Sequence, residues 1–321
     1  MNSNIANSNQ SSSYQFLLLV ILKITCFGVF IGRAWEHLRW DPPFRSFLWD
    51  QSLLEPFILK ITGLSWMEYA TSDKVDSLIQ NTVFSIGLFY VLCAIAALVI
   101  SKKHLLIYRL CKYILILGSL SLIFLAFLYY KERFMEVGQF FEYTSQFSSP
   151  LILLLLLSGF SKKGMVFFIK AAIALTFICH GLYAIGFYSI PGEWVDMLIV
   201  SLNVSEQSAY SILYLAGTLD IVFSVLIFIP GLVKPSLVYL LLWGLATTAS
   251  RVYANIYIDS FWLIVEIYLH QVLYRVPHFL LPLSLLFIIK DRSILSELIK
   301  CISIDNKHSK SHEPEPQPQS S

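Results

Sequence analysis

Apolar residues run along this chain in long stretches separated by short polar punctuation. That is the pattern of helices immersed in hydrocarbon, because neither the two-residue alternation of a half-buried strand nor a single apolar helix face accounts for it. Eight stretches (14–33, 82–101, 112–130, 147–160, 165–189, 209–229, 236–257 and 270–289) are the candidates for crossing a hydrocarbon core of about 30 Å, which takes about 20 helical residues. The fourth is short and is expected to extend backward through 139–146. Helices are required because lipid offers no partner to a free backbone amide. The predicted fold is an all-α integral membrane protein of about eight transmembrane helices.

The segments between them carry their own signals. Residues 1–13 are Asn/Ser-rich without the basic start of a secretory signal, and are expected to form a disordered tail. Residues 291–321 read as a cytoplasmic tail, disordered from about 305 where the sequence turns polar and Pro-rich. The loop 34–81 is the longest and holds Trp35, Trp40, Trp49 and Trp66. Its stretch SFLWDQSLLEPFILKI is amphipathic and is expected to lie along the outer interface, as an anchoring cap or as a lid over a lateral opening to lipid.

Composition agrees with a membrane protein: 56% of residues are hydrophobic and 14% charged, against roughly a quarter charged in soluble domains. A net charge of +2 with no basic stripe argues against nucleic acid as a partner and leaves the lipid bilayer. The basic residues fix direction. Lys102, Lys103, Lys162, Lys163, Lys234, Lys290 and Arg292 all fall between or after spans on one side, which the positive-inside rule makes cytoplasmic, with both termini there. A bacterial inner (plasma) membrane is the expected location, although Asn203-Val-Ser205 would be an outer-side sequon in a secretory-pathway membrane. Five cysteines without a CxxC pair give no disulfide framework and disfavour dithiol exchange.

Self-comparison predicts a duplication, with an N-terminal four-helix unit over 14–160 and a C-terminal one over 165–290. Lys23, Phe30 and Arg33 align with Lys170, Phe177 and His180; Pro43 and Pro191 each lead an outer segment. Gly118 matches Gly244 and Pro150 matches Pro282, while Asp220 faces Ala94. Four spans return the chain to the same side, so the two units are expected to run parallel.

A charge within a span costs about 2.5–3.5 kcal/mol on insertion scales, so each one needs a reason. Lys23 and Lys170 lie near the cytoplasmic ends of their spans and can snorkel. Depth arithmetic places His180, Arg251, Arg275 and His278 at similar levels of the second unit, with Asp220 below them and Glu266 above, and His270 in the first turns of the last span with Arg275 and His278. The first unit carries a smaller set, Arg33, Glu36, His37 and Glu142, so the second unit reads as the working half and the first as its support. Four roles fit the larger cluster. An Arg251–Asp220 pair with interhelical histidine bonds would lock the bundle. A site for a quinone or another amphipathic headgroup would use imidazole and guanidinium donors. Haem between His180 and His278 is disfavoured, since two histidines at similar depth are its whole support. Transport of a proton or small anion along Asp220 is the fourth, although no span is clearly broken by paired Gly/Pro. No metal site, Walker loop, dinucleotide fingerprint, HExxH or GxSxG occurs in an interpretable setting, and no residue is assigned a catalytic role.

The stretches FICHGLYAI with the following PGE, YLAGTLDIVFSVLIFIP and RVPHFLLPLSLL resemble the DoxX family of four-helix membrane proteins, over about residues 166–289. Gly217 followed by Asp220 echoes the glycine and acidic residue of that family's second helix. The N-terminal unit departs from it, with Arg33 and Ala34 where the C-terminal unit has His180 and Gly181. The resemblance implies a membrane bundle linked to respiratory redox chemistry, as in the small subunit of thiosulfate:quinone oxidoreductase. It further implies a quinone as ligand and a separate electron-donating protein as partner. The wider group includes proteins similar to cargo receptors and to the membrane part of vitamin K-dependent carboxylase, so the fold transfers better than the activity. A non-enzymatic membrane scaffold or lipid-binding protein and a small-solute or proton-coupled transporter are the alternatives.

Overall fold

In the computed structural model, residues 2–256 and 261–290 are described, with side chains from Gln15 to Ile289. The described chain folds as fourteen helices and no strand. Seven helical segments among the described residues are long and apolar enough to cross a membrane: Gln15–Arg39, Asp73–Val99, Leu105–Glu132, Val137–Ser158, Lys162–Ala184, Glu206–Leu226 and Phe261–Ile289. The eighth predicted span, α12 (Val233–Tyr253), is 21 residues long and at 1.5 Å per residue also reaches across. Its mean hydropathy is lowered by Thr247, Thr248, Ser250 and Arg251, which face protein or a cavity rather than lipid. The chain is an all-α multi-pass membrane protein.

The first span is α1 (Asn2–Arg39). Its backbone stays helical back to Asn2, where the sequence suggested a disordered tail, because a helix already nucleated extends at the cost of one residue per bond. The predicted tail at 291–321 lies outside the described residues. After α1 come α2 (Arg45–Leu48), α3 (Gln51–Thr62) and α4 (Trp66–Ala70), which make up the long loop. Asp50 caps α3 by accepting from Leu53 N, and a capping box between Ser65 and Glu68 starts α4. Leu53, Phe57, Leu59 and Ile61 of α3 are exposed and no α3 residue is buried. This leaves the helix with an apolar face that only lipid or a partner can cover.

Helices α1, α5 (Asp73–Val99), α6 (Leu105–Glu132) and α8 (Thr144–Ser158) pack in a closed ring, each touching the next and α8 returning to α1. In the same way α9 (Lys162–Ala184), α11 (Glu206–Leu226), α12 and α14 (Pro277–Lys290) form a second ring. Gly159, at a φ of 76°, ends α8 in the left-handed conformation that lets the chain turn within three residues into α9. The rings share one apolar core, since Phe30, Tyr90 and Leu153 belong to the same buried cluster as Phe177, Leu240 and Leu281. Helix α1 lies at the seam, touching α13 (Phe261–Arg275) and α14 as well as its own ring, while α8 touches α9 and α14.

Two spans are broken, contrary to the sequence reading. The fourth splits at Tyr143 into α7 (Val137–Glu142) and α8, and the last at Val276 into α13 and α14. Pro277 accounts for the second break, because it lacks an N–H and restricts the residue before it. Both breaks fall at the end of the bundle that carries α2–α4 and α10 (Gly192–Leu202), called the upper end below.

Candidate functional site

The side chains around the breaks are polar and buried. Arg33, on α1, is 1% exposed, and each nitrogen of its guanidinium has a hydrogen-bond partner. Nε and Nη2 donate to Gln146 Oε1 at 3.0 and 2.8 Å, and Nη1 donates to Glu36 Oε2 at 2.7 Å and to Tyr129 OH at 3.3 Å. The Tyr129 hydroxyl donates to the other Glu36 oxygen at 2.5 Å. The guanidinium carbon lies 3.9 Å from the Tyr274 ring centroid, which ties α1 to α13 by a cation–π contact. His37 turns Nδ1 toward the Arg33 carbonyl at 2.7 Å, and its ring packs edge-on against Tyr90 and Phe44. The Arg33 and Glu36 charges are thus satisfied, as buried charges in a membrane bundle must be, while His37 Nε2 has no partner.

The second group lies where α7, α9 and the α13–α14 break meet. His180 Nε2 is 2.9 Å from Glu142 Oε1, and Arg275 Nη2 is 3.9 Å from the same oxygen. The His180 and His278 rings stack at 5.1 Å with an interplanar angle of 20°. His278 Nδ1 meets the Arg275 carbonyl at 2.8 Å. Rings stacked face to face do not aim their nitrogens at an iron between them, so this arrangement does not fit a haem bridged by the pair. Among the described residues, no three His, Cys, Asp or Glu side chains gather as metal ligands.

Beside His180 the C-terminal ring, with α10 and Arg275 of α13, lines a half-open cavity of about 260 Å³. Helix periodicity places its lining. On α12 the residues are Trp243, Ala246, Thr247, Ser250 and Arg251, one stripe at spacings of three and four. On α10 they are Trp194, Met197, Leu198, Ser201 and Leu202, in the same rhythm, so α10 forms one wall with its apolar face. Helix α11 supplies Leu213, Ala216 and Asp220; α9 supplies Phe177, His180 and Ala184. From Trp243 to Arg251 the cavity spans nine residues of α12, about 12 Å along the helix. Apolar walls with a few converging polar groups are the usual make-up of a small-molecule site.

The polar groups sit at its two ends. At the lower end Asp220, 4% exposed, accepts from Tyr239 OH at 3.2 Å and from Trp243 Nε1 at 3.1 Å. At the upper end Arg251 Nη1 donates to Glu193 Oε2 at 2.8 Å. Three buried atoms of residues that line the cavity have no hydrogen-bond partner: Arg251 Nε, Arg275 Nε and Ser201 Oγ.

Of the residues singled out from sequence, the structure thus gathers His180, Asp220, Arg251 and Arg275 around one cavity, with His278 stacked behind His180. The suggested Arg251–Asp220 pair does not form, because the two lie at opposite ends of that cavity and each has other partners. Glu266 is not above the cluster; it pairs with Arg39 at the exposed surface. His270 stacks at 6.3 Å on Trp40, at the seam with α1. Glu142 does not belong with Arg33, Glu36 and His37, since the break after it turns its carboxylate toward His180. The first half therefore contributes directly to the group around the cavity. Sequence reasoning missed Glu193, Tyr239, Trp243 and α10. The three-and-four spacing of Trp194, Met197, Leu198 and Ser201 was a visible amphipathic signal for the helix. No family model, curated protein or solved structure matches this chain.

Proposed function

We propose that this protein binds a small amphipathic molecule in the cavity of its C-terminal ring, as a DoxX-like membrane protein with a divergent duplicated N-terminal unit. The observation that carries the reading is the cavity, with apolar walls on four helices and hydrogen-bonding groups at both ends. A site that served only to lock helices would be packed and would not leave this space. The repeat is supported by equivalent close contacts. A Cβ on Gly118 would meet the Phe30 ring at 2.8 Å, and one on Gly244 would meet the Phe177 ring at 3.2 Å. Phe30 and Phe177 are the residues that the internal alignment pairs. The positions of the lysine loops support cytoplasmic termini, and a bacterial plasma membrane is the location proposed with the family reading.

A quinone, with an electron-donating protein as partner, is the ligand implied by the family resemblance, and Arg251 and Arg275 are suitable donors to a carbonyl oxygen. The test is native mass spectrometry and lipid extraction of protein purified in mild detergent. One retained amphipathic molecule per chain, lost when Ala246→Trp narrows the cavity, is the expected result. A wild-type protein that retains nothing, and gains no thermal stability from any extract fraction, overturns the reading. Small-solute transport is the second reading, favoured by the two broken spans, since discontinuous helices line many transport sites.

A further inference from the structure

We infer that the headgroup held in this cavity is an anion, a carboxylate or a phosphate on an apolar body, bound at the upper end by Arg251, Arg275 and Ser201. The inference rests on the cavity being a ligand site and adds the charge of what it takes.

Charge balance is the first argument. Two guanidinium groups line the upper end. The carboxylate paired with Arg251 belongs to Glu193, whose side chain is 77% exposed, so water screens it. The carboxylate nearest Arg275 belongs to Glu142, 3.9 Å away and already held by His180 at 2.9 Å. At this end two buried guanidinium groups thus share one buried carboxylate that His180 already holds, while the other buried carboxylate of the cavity, Asp220, stands at the far end. Charges in a membrane interior are found paired, and an anion entering the cavity would complete the pairing. A neutral headgroup would leave the imbalance as it stands.

Donor geometry is the second. Nη1 of Arg251 is taken by Glu193, whereas Nε, on the edge that grips carboxylates and phosphates two-pronged, has no partner. Arg251 is 5% exposed, so water does not stand in for that partner at the surface. Arg275 Nε and the Ser201 hydroxyl are unpartnered in the same way; all three residues line the one cavity, and a side-chain rotation is what turns these covered atoms toward a ligand.

The lower end sets the orientation. Asp220 stands there with both oxygens accepting hydrogen bonds, and a carboxylate repels an anionic head. Between the ends the walls are Phe177, Leu213, Ala216, Met197 and Leu198, which suit an alkyl or isoprenoid body. Head up and apolar body down is the arrangement both ends favour.

The experiment uses full-length protein in nanodiscs and radiolabelled dodecanoate, with empty nanodiscs as background and dodecanol, dodecyl phosphate and acetate as competitors. Saturable binding of dodecanoate at one per chain is expected, with dodecanol about ten-fold weaker or worse, the weight of one charge-assisted bond. Dodecyl phosphate in place of dodecanoate as the tighter competitor assigns a phosphate head and supports the inference equally. Arg251→Gln should weaken dodecanoate about ten-fold and leave dodecanol unchanged, with Arg251→Lys between wild type and Gln. Should Arg251→Gln fail to fold, the acid-against-alcohol ratio on the wild-type protein and on Ser201→Ala still decides. Equal binding of dodecanol and dodecanoate overturns the anionic headgroup while leaving the ligand site intact. Acetate competing as well as dodecanoate overturns the apolar body. Saturable binding of no probe, unaffected by Ala246→Trp, overturns the cavity as a ligand site and the inference with it.

Discussion

Glu142 on α7 and His180 on α9 meet at 2.9 Å across the seam between the two helix rings, and Arg275 of α13 lies 3.9 Å from the same carboxylate oxygen. One side chain thus joins three helices drawn from both halves of the chain. Removing it differs from removing either partner. Glu142→Ala strands Arg275 and His180 together in a buried place, and breaking a buried pair this way costs about 3–5 kcal/mol. His180→Ala leaves Glu142 still beside Arg275 and should cost less. The double variant should be less unstable than the sum of the two, because both deletions remove the same contact. Thermal unfolding in detergent measures all three; strict additivity would mean that the two residues do not interact.

Much of this architecture was legible in the chain because hydrocarbon imposes one rule on every span. Eight apolar stretches of about the right length could only be helices, and depth counted from the lysine loops placed His180, Asp220, Arg251 and Arg275 in one bundle. What escaped was orientation about the helix axis. Depth does not tell which way Arg251 faces, so its pairing with Glu193 on α10 rather than with Asp220 was not readable. The breaks at Tyr143 and Val276 escaped for a related reason. Gln139, Glu142 and Gln146 in the fourth span, like Pro277 in the last, signal a disturbed helix without saying where its side chains turn.

Arg33 tests how far a guanidinium is irreplaceable. Its five-donor fork supplies two bonds to Gln146 and one each to Glu36 and Tyr129, and its plane covers the Tyr274 ring. Lysine keeps the charge but has neither the fork nor the flat face. Arg33→Lys should therefore destabilise the protein by roughly 3 kcal/mol, the loss of one or two charge-assisted bonds. Unfolding in mixed micelles reads this directly, and a variant as stable as wild type would show that the network is ornamental to the fold.

Close helix approach makes a contrasting prediction at three glycines. A Cβ on Gly244 would fall 2.5 Å from the His278 carbonyl oxygen, and one on Gly32 would fall 2.6 Å from Tyr274 N. Both obstacles are backbone, so α12 and α14, or α1 and α13, would have to separate. Alanine at either position should cost about 1–3 kcal/mol. Gly192→Ala, with nothing within 4 Å of the new Cβ, should be neutral or slightly stabilising. Equal melting temperatures for all three variants would contradict the close helix approaches at Gly244 and Gly32.

The upper loop is tied down by an ion pair between Asp50 and Lys131, with Asp50 also capping α3. The Lys131 ammonium, together with the Ser52 hydroxyl, holds the Asp50 carboxyl down at about 2, below its ordinary value near 4. A depressed carboxylate contributes its stabilisation above the unfolded value and loses it as pH falls through the folded one. The loop should consequently be equally protected from proteolysis at pH 8 and pH 5. Asp50→Asn preserves the cap and removes the charge, so it should raise cleavage within 51–62 at both pH values alike. Protection that fades between pH 8 and pH 5 in the wild type would place its origin in another group.

Asp220 separates a structural role from transport. Its carboxylate takes one bond from Tyr239 OH and one from Trp243 Nε1. An asparagine can satisfy both, since its carbonyl accepts from the indole, which only donates, and its amide donates to a tyrosine hydroxyl turned to accept. Asp220→Asn should accordingly lose less than about 1 kcal/mol, whereas Asp220→Leu orphans two donors at about 1–3 kcal/mol each. A carrier of protons along this helix needs an ionisable group, so Asp220→Asn would stop pH-driven uptake into liposomes while leaving the melting temperature alone. Retained ligand binding in Asp220→Asn, with no uptake by wild type, is the outcome expected of a cavity whose lower end serves to hold two aromatic walls in place. Uptake that vanishes with the amide would instead make Asp220 the working residue and the broken spans its gate.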